Sequence, residues 1–589
     1  MRASPLTPEA QEALGAILAR LSPDQRAAAT AAPGPILCVA PAGAGKTTTL
    51  VARVAIRVAD GTPPDRIRAV TFNRRAAAEL RERLDATLVP FGVAPGTVRV
   101  ATFHALGLEI LRDGGHGPGT IADRAEVLRG LWPAVPRASR ALLDDVISRA
   151  KLDPGAGPMP DALRAPAAAY AAQLTAAGAV DLDDLVAGAV ALLRADETVL
   201  TRWRELCSEL LVDEVQDVDA TQLELALTLA GPAARIFLVG DDDQSIYGWR
   251  LADVRRVIGL AGLLPGLRRF DLIVNRRCPA PVVDRAVRLV SHNSERFVKV
   301  VRARPGATGR LVLVPEGADE QRTVAAVMGG WPDAGTHAIL ARTNRELLVG
   351  MAVALELRLP FRADRLPDLV SDPRVDALLD AADEQPEGLP PAARLLRGAA
   401  RFDGAFGPRG AAAEPEEGPT DREVVAAVLG WAGRHRTLAG LREAVGETRV
   451  LLASLRRDDA PLTLASVHAT KGLEFDDVLV LGMSRGRFPS DRSVAGAADP
   501  ARTLEEERRL AYVAWTRARR SLTLVFDAAA PSSFLLEAFD ADEMPGAGRT
   551  GTRDRHARRG SSEDAGSASG VSERAPPPPR SARVARAGR

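Results

Sequence analysis

Lysine is nearly missing from this chain of 589 residues: of 77 basic side chains, only Lys46, Lys151, Lys299 and Lys471 are not arginine. Arginine serves wherever a generic positive charge is enough. A lysine kept at position 46 therefore points to a place that needs a compact ammonium on a flexible stem. Cysteine is also scarce, and Cys38, Cys207 and Cys278 are too few and too scattered for a disulfide framework or a zinc site. No apolar run approaches the roughly 18 residues a membrane span needs. The opening stretch MRASPLTPEAQEAL lacks the apolar core of a signal peptide. The expected location is cytoplasmic, with no membrane partner. Net charge is only +1, so whole-chain electrostatics give no sign of a nucleic-acid partner; such a surface has to be local or rest on base stacking. Aromatic residues make up 4% of the chain, which makes each one worth placing.

Length alone suggests three or four domains. The densest stretch is residues 35–50, PILCVAPAGAGKTTTL. It reads as a buried strand, a glycine-bearing loop and a helix beginning near Lys46. In such a loop, backbone N–H groups and the positive end of a helix dipole converge on a phosphate. The pattern G-x-x-x-x-G-K-[ST] is met except at its first position, Ala40. Lys46 is expected to reach the β- and γ-phosphates and the Thr47 hydroxyl to ligate Mg²⁺. Gln25 lies about twenty residues upstream. Its amide suits the two polar edges of adenine; the bland alternative is a glutamine on a surface helix.

Further strands are expected at Ile67 to Thr71, Thr97 to Ala101, Leu210 to Val212 and Arg235 to Val239. Polar and aromatic residues follow each one: Phe72-Asn73, Thr102-Phe103-His104, Asp213-Glu214, and the run Gly240 to Arg250. In open α/β sheets that edge binds ligands. A hydrophobic strand delivering Asp-Glu suits a phosphate-loop ATPase, with Asp213 sharing Mg²⁺ with Thr47 and Glu214 polarising water. Gln244 is placed to sense a γ-phosphate. Tyr247 and Trp249 sit in a polar loop, where stacking on bases and anchoring of the loop are both open readings. The pattern restarts at Phe270 to Val274, with later strands at Arg310 to Val314, His337 to Ala341, Leu462 to Val467, Val478 to Leu481 and Leu522 to Phe526. An acidic-basic helix, LEEERRLAYVAWTRARR, precedes the last of these.

Together LSPDQ, APAGAGKTT, AVTFNRRAAAELRERL, TFHALG, LLVDEVQD, VGDDDQSIYGWR, NRRCP, ASVHATKGLEF and EEERRLAYVAWTRAR resemble the UvrD/Rep family of superfamily 1 DNA helicases. The resemblance implies an α/β fold of two RecA-like P-loop NTPase motor domains, each a parallel sheet flanked by helices and carrying an inserted, mainly helical subdomain. The first motor domain is expected at 1–104 and 191–268 with a helical insertion at 105–190. The second is expected at 269–365 and 456–540, with a shortened insertion at 366–455 and a disordered Arg/Gly/Ser/Pro-rich tail at 541–589. ATP and Mg²⁺ are the implied cofactors. The implied ATP site comprises Gln25, Ala40, Pro41, Ala42, Gly43, Ala44, Gly45, Lys46, Thr47, Thr48, Arg276, Arg277, Glu474 and Arg517. The implied catalytic residues are Lys46, Asp213, Glu214, Gln244, Arg277 and Arg517, and Glu474 holds the ribose. Single-stranded DNA is implied to stack on Phe72, Tyr247 and Trp249, with Asn73, Thr102, His104, Arg250 and His468 along its path. The implied activity is an ATP-dependent helicase moving 3′ to 5′ in repair or replication. Its partners would be single-stranded DNA, 3′-tailed duplex, and repair or replication proteins. The alternatives are a translocase that strips proteins from single strands, or an ATPase subunit of a repair or defence complex. Arg276 stands where the family usually has tyrosine stacking on adenine; a planar guanidinium can also stack, so retained but altered nucleotide affinity is expected.

Overall fold

The computed structural model describes residues 6–545 apart from 154, 156, 365, 367 and 401–420. Two six-stranded sheets, parallel throughout, organise those residues. In the first sheet the strands are β1 (Ile36–Val39), β2 (Ile67–Thr71), β3 (Arg99–Thr102), β4 (Glu209–Val212), β5 (Ile236–Gly240) and β6 (Arg268–Asp271). They lie in the order β3-β2-β4-β5-β1-β6. In the second sheet they are β7 (Arg310–Pro315), β8 (His337–Ala341), β9 (Phe361–Arg362), β10 (Leu462–Ser466), β11 (Phe475–Val480) and β12 (Ala518–Phe526). Their order is β7-β12-β11-β8-β10-β9.

Parallel strands need helical crossovers, which cover both faces of the sheet. Accordingly β1, β4, β5 and β8 are buried at every position, and apart from Glu209 and His337 at the starts of β4 and β8 they are short apolar runs. Separate cores fill the two faces of the first sheet, one built on Leu210, Val212 and Leu238 and the other on Ile36, Cys38 and Phe237. The second sheet is sandwiched likewise, with Trp515 and Tyr512 on one face and Ile339 and Leu479 on the other.

Several expected boundaries move. The strand expected from Phe270 to Val274 is two pieces. Arg268–Asp271 is the edge of the first sheet, paired with β1, and Val274–Asn275 pairs separately with Arg302–Ala303. The expected start of the second motor at 269 therefore cuts a strand of the first. A periodic run does not reveal which sheet accepts it. The insertion expected at 105–190 is smaller in its packing. Helices Phe103–Asp113 and Leu182–Ala195 bury Leu106, Ile110, Val186 and Ala189 in the first sheet's own core. A separate small core of Leu128, Leu143, Ile147, Tyr170 and Leu174 lies between them. The described residues of 366–455 hold four helices around Val375, Leu378, Leu395, Val428 and Leu441, while the acidic stretch at 401–420 is outside the described residues. At the other end Met544 is buried in the second sheet's core, so ordered structure passes the expected tail start at 541; residues 546–589 lie outside the described set.

Among the described residues no helix is long and apolar enough to cross a membrane.

Candidate nucleotide and nucleic-acid site

The carboxyl edge of the first sheet carries the phosphate loop. Ala40 donates its N–H to Gly240 O at 2.8 Å, tying the loop's first residue to β5. Its φ is negative, so alanine fits where the pattern has glycine. Gly43 and Gly45 differ, with φ of +67° and +88°. A Cβ on Gly43 would lie 2.7 Å from Arg277 Cβ, and one on Gly45 would lie 2.4 Å from Gln25 Nε2. Glycine is thus required for both conformation and space. Helix Lys46–Ala59 starts directly after, and its first N–H groups and dipole face the loop. Pro41, Ala42 and Ala44 form the turn between, Thr47 is half-buried, and Thr48 is exposed.

Gln25 is buried, which excludes the surface-helix reading. Its Oε1 accepts the Ser22 N–H at 3.0 Å, closing a capping box, and its Nε2 donates to Ala44 O at 2.8 Å. The amide therefore braces the loop. A primary amide keeps one N–H and one lone pair beyond these bonds.

β4 delivers Asp213 and Glu214. Lys46 Nζ sits 3.0 Å from Glu214 Oε2, and Gln216 Nε2 donates to the same oxygen at 2.5 Å. Glu214 adopts a left-handed φ of +54°, a strained conformation for a non-glycine residue. Burial works to raise its pKa, but Lys46 and Lys471 outweigh it and hold the carboxyl at about 2. Asp213 goes the other way: burial and the neighbouring Glu214 charge push it up to about 7, and the Glu214 N–H is its hydrogen-bond donor at 3.0 Å. A buried carboxylate without a basic group bonded to it is a hard oxygen ligand.

The strand end after β5 is a second ionic cluster. Asp241, Asp242 and Asp243 are buried and gather around Lys299, whose Nζ lies 2.7 Å from Asp241 Oδ1 and 2.9 Å from Asp243 Oδ2 and also contacts Asp242. Arg296 Nη2 adds an ion pair to Asp243 at 2.8 Å. Gln244 Nε2 donates to Asp241 Oδ2 at 2.6 Å. Burial would lower the Lys299 ammonium, but the three aspartates raise it well above its usual value. The remaining lysines behave alike: Lys471 Nζ lies 2.7 Å from Asp217 Oδ1 and 2.6 Å from Gln244 O, and Lys151 Nζ lies 2.8 Å from Asp181 Oδ2. All four lysines of the chain thus grip carboxylates at crowded, poorly exposed positions. Scarcity of lysine points to Lys46. Lys299, equally rare by type, has its explanation in the three aspartates around it.

Arginines reach this site from turns packed against the second sheet, Arg277 ahead of helix Ala280–Val290 and Arg517 ahead of β12. Arg517 is fully buried at the end of helix Pro500–Trp515. It donates to Val513 O at 2.9 Å, to Leu473 O at 3.0 Å and to Gln244 Oε1 at 3.2 Å. Burial, reinforced by Arg277, lowers it to about 9, still cationic at neutral pH. Arg277 Nε pairs with Glu474 Oε2 at 2.6 Å, and its Nη1 donates to Thr516 O at 3.2 Å. Glu474 also contacts Arg519, so both of its oxygens are engaged by arginines. Arg519 was not anticipated, because β12 begins earlier than Leu522 and carries it there. Arg276 is exposed, and its N–H donates to Gly43 O at 2.9 Å.

The expected DNA contacts divide. Phe72 and Tyr247 stack at 4.9 Å, Trp249 meets Tyr247 edge-on at 6.1 Å, and the Arg250 guanidinium lies 4.6 Å from the Trp249 ring centre. Lys471 Nζ approaches the Tyr247 ring at 5.1 Å. Tyr247 therefore anchors the loop, while Trp249, 57% exposed, projects from it. Asn73 and Thr102 are helix N-caps, accepting from Ala76 N at 2.9 Å and Ala105 N at 3.3 Å. His104 and His468 are half-buried and their pKa values are depressed by burial, His468 to about 3 with Arg342 and Lys471 adding to the effect. Both are neutral at pH 7.

A glycine-bearing phosphate loop, an adjacent Asp-Glu pair and arginines arriving from a second parallel sheet define a phosphate-loop protein of two RecA-like units. The chain belongs to the UvrD/Rep helicase family. Residues 21–154 and 142–261 match the UvrD/REP helicase N-terminal domain, and residues 447–528 match the UvrD-like helicase C-terminal domain. It is similar to DNA helicase II of Escherichia coli, at 28% identity over 87% of this chain and 85% of that protein. Similarity to the ATP-dependent DNA helicase Rep of E. coli is 27% over 86% of this chain and 90% of Rep. The ATP-dependent DNA helicase UvrD1 of Mycobacterium tuberculosis is 29% identical, with 86% and 82% covered.

Proposed function

We propose that this chain is an ATP-dependent DNA helicase that moves 3′ to 5′ on single-stranded DNA and separates duplex. The observation that carries the reading is the bond from Arg517, on the second sheet, to Gln244 at the end of a first-sheet strand. It makes the completeness of the nucleotide site depend on how the two sheets are held together.

ATP seats its phosphates on the amides of Gly43 to Thr47, and a triphosphate there competes with Glu214 for the Lys46 ammonium. Drawing Lys46 away frees Glu214, which stays ionised and can orient and accept a proton from the attacking water. Thr47 and Asp213 fit Mg²⁺, since Asp213 is a buried oxygen ligand whose pKa near 7 falls once a cation stands beside it. The bound ion supplies neutralisation of the phosphate charge. Arg277 and Arg517 face the γ-phosphate and stabilise the charge that develops as its bond to the leaving group breaks. Arg276, exposed over the loop, offers its guanidinium plane to the base. Gln25, holding Ala44, keeps one N–H and one lone pair for adenine. Product release loosens the arginines, and the two units separate and re-close along the strand.

The strand runs across the carboxyl edge past Trp249 and Phe72. A stacked base contributes about 1–3 kcal/mol, comparable with the roughly 1.4 kcal/mol mean of a base-pair step. Trp249→Ala should therefore weaken single-strand affinity about 5- to 150-fold while leaving nucleotide affinity intact. Fluorescence anisotropy with a labelled oligothymidine measures the first and titration with a fluorescent ATP analogue the second. Unchanged DNA affinity would remove Trp249 from the DNA path.

A further inference from the structure

The three consecutive glutamates of LEEERR hold three different elements. Glu505 accepts the backbone N–H groups of Ser294 at 2.7 Å and Glu295 at 3.2 Å. Glu507 takes Arg342 Nε at 2.8 Å and Ser490 N at 3.1 Å. Glu506, between them, accepts the Gly248 N–H at 2.8 Å. Successive residues on a helix point about 100° apart, so one short acidic run reaches three ways. Two of those grips serve to fix structure near the helix. The third reaches from the second sheet into the loop that bears Trp249.

That loop is held by the helix at separate points. Arg502 pairs with Asp253 just beyond the loop, Glu506 holds Gly248 in its centre, and Arg517 binds Gln244 before it. Glu506 lies nine residues, about 13.5 Å of helical rise, before Trp515, the last residue of the helix, and Arg517 follows in the turn two residues beyond. A single rigid rod thus has one end at the nucleotide and its middle on the loop carrying the exposed tryptophan. The glycine is shaped to this contact: its φ is ordinary, but a Cβ there would sit 2.5 Å from Glu506 Oε2. Any side chain at 248 pushes the carboxylate off the amide.

We infer that Glu506 is a positioning residue that couples the DNA-facing loop to the nucleotide site, so that stimulation of ATP hydrolysis by DNA passes through its bond to the Gly248 amide. A strand settling on Trp249 shifts the loop, Glu506 transmits the shift to helix Pro500–Trp515, and Arg517 at its end is brought into register. The inference rests on the reading that the loop touches DNA. Glu506 acts through the loop backbone that it holds.

The test is steady-state ATP hydrolysis by the full chain with and without oligothymidine, in Glu506→Ala, Glu506→Gln, Gly248→Ala, the Glu506→Ala/Gly248→Ala double variant and Trp249→Ala. Glu506→Ala should leave DNA-independent hydrolysis and oligothymidine affinity unchanged and reduce the stimulated rate about ten- to a hundredfold, the range of one hydrogen bond to a charged group. Glu506→Gln keeps an acceptor oxygen and should restore most of the stimulation. Gly248→Ala breaks the same bond from the other side, so it should match Glu506→Ala, and the double variant should be no worse than either. Normal stimulation in Glu506→Ala beside weakened binding in Trp249→Ala overturns the inference alone. Additive losses in the double variant, or an equal fall in basal hydrolysis, overturn it in favour of a merely structural role. Unchanged DNA binding in Trp249→Ala removes the loop from the DNA path and the inference with it.

Discussion

Lys46→Ala is expected to abolish DNA-stimulated ATP hydrolysis, with a fall of at least about 10²–10³-fold, the usual loss when one donor to developing charge is removed. The ammonium is the sole lysine in the phosphate loop, and it arrives already desolvated beside Glu214. Burial works to lower its pKa, but Glu214, Asp241 and Asp213 raise it, so it is charged at any working pH. Alanine also leaves Glu214 with less to stabilise its charge, and its pKa should climb from about 2. Lys46→Arg separates the two effects. It restores a cation opposite Glu214 yet places a broad guanidinium where the loop closes tightly around Gly43 and Gly45. Hydrolysis should stay low in both variants, while single-strand affinity without nucleotide stays normal. Near-normal turnover in Lys46→Ala, measured by phosphate release, would remove the phosphate-loop assignment.

The second large effect is at Arg517. Arginines that reach a transferring phosphoryl group from a second unit are worth about 10³–10⁵ in rate, and Arg517→Ala should lose kcat on that scale with a smaller change in KM. Its guanidinium spans Val513 O, Leu473 O and Gln244 Oε1 at once. A lysine has one ammonium and no fork, so Arg517→Lys should keep the charge and recover little of the rate. Because the group is fully buried, thermal unfolding of both variants has to be followed beside the kinetics. A kcat within tenfold of the parent in a well-folded Arg517→Ala, about 1.4 kcal/mol, would take the residue out of the reaction.

Most of the sheet framework was legible because parallel strands buried on both faces leave short apolar runs, and the chemistry sits where they stop. Asp213, Glu214 and Gln244 follow the ends of β4 and β5, and the glycine-bearing loop follows β1. What sequence did not disclose is which distant groups meet. Gly248 and Glu506 are 258 residues apart, and Lys471 and Asp217 are 254 apart. Nothing local to either partner states the pairing. The scarcity of lysine marked Lys299 as unusual, but only the gathered Asp241, Asp242 and Asp243 explain it. Gln25 shows the reverse limit. Its position was noticed, yet a buried amide bracing Ala44 and capping a helix cannot be told from an exposed one by spacing. Boundaries failed for a related reason: β6 (RRFD) has one apolar residue and helix Phe103–Asp113 an ordinary amphipathic pattern, and only tertiary packing assigns them to the first sheet.

The most direct test of the account is strand separation on duplexes carrying either a 3′ or a 5′ single-stranded tail, with ATP hydrolysis followed in the same reactions. The account predicts hydrolysis stimulated by both tails and unwinding confined to the 3′-tailed duplex. Stimulated hydrolysis without unwinding of either duplex would reduce the protein to a translocase on single strands. Unwinding from the 5′ tail, or hydrolysis indifferent to DNA, would contradict the central claim.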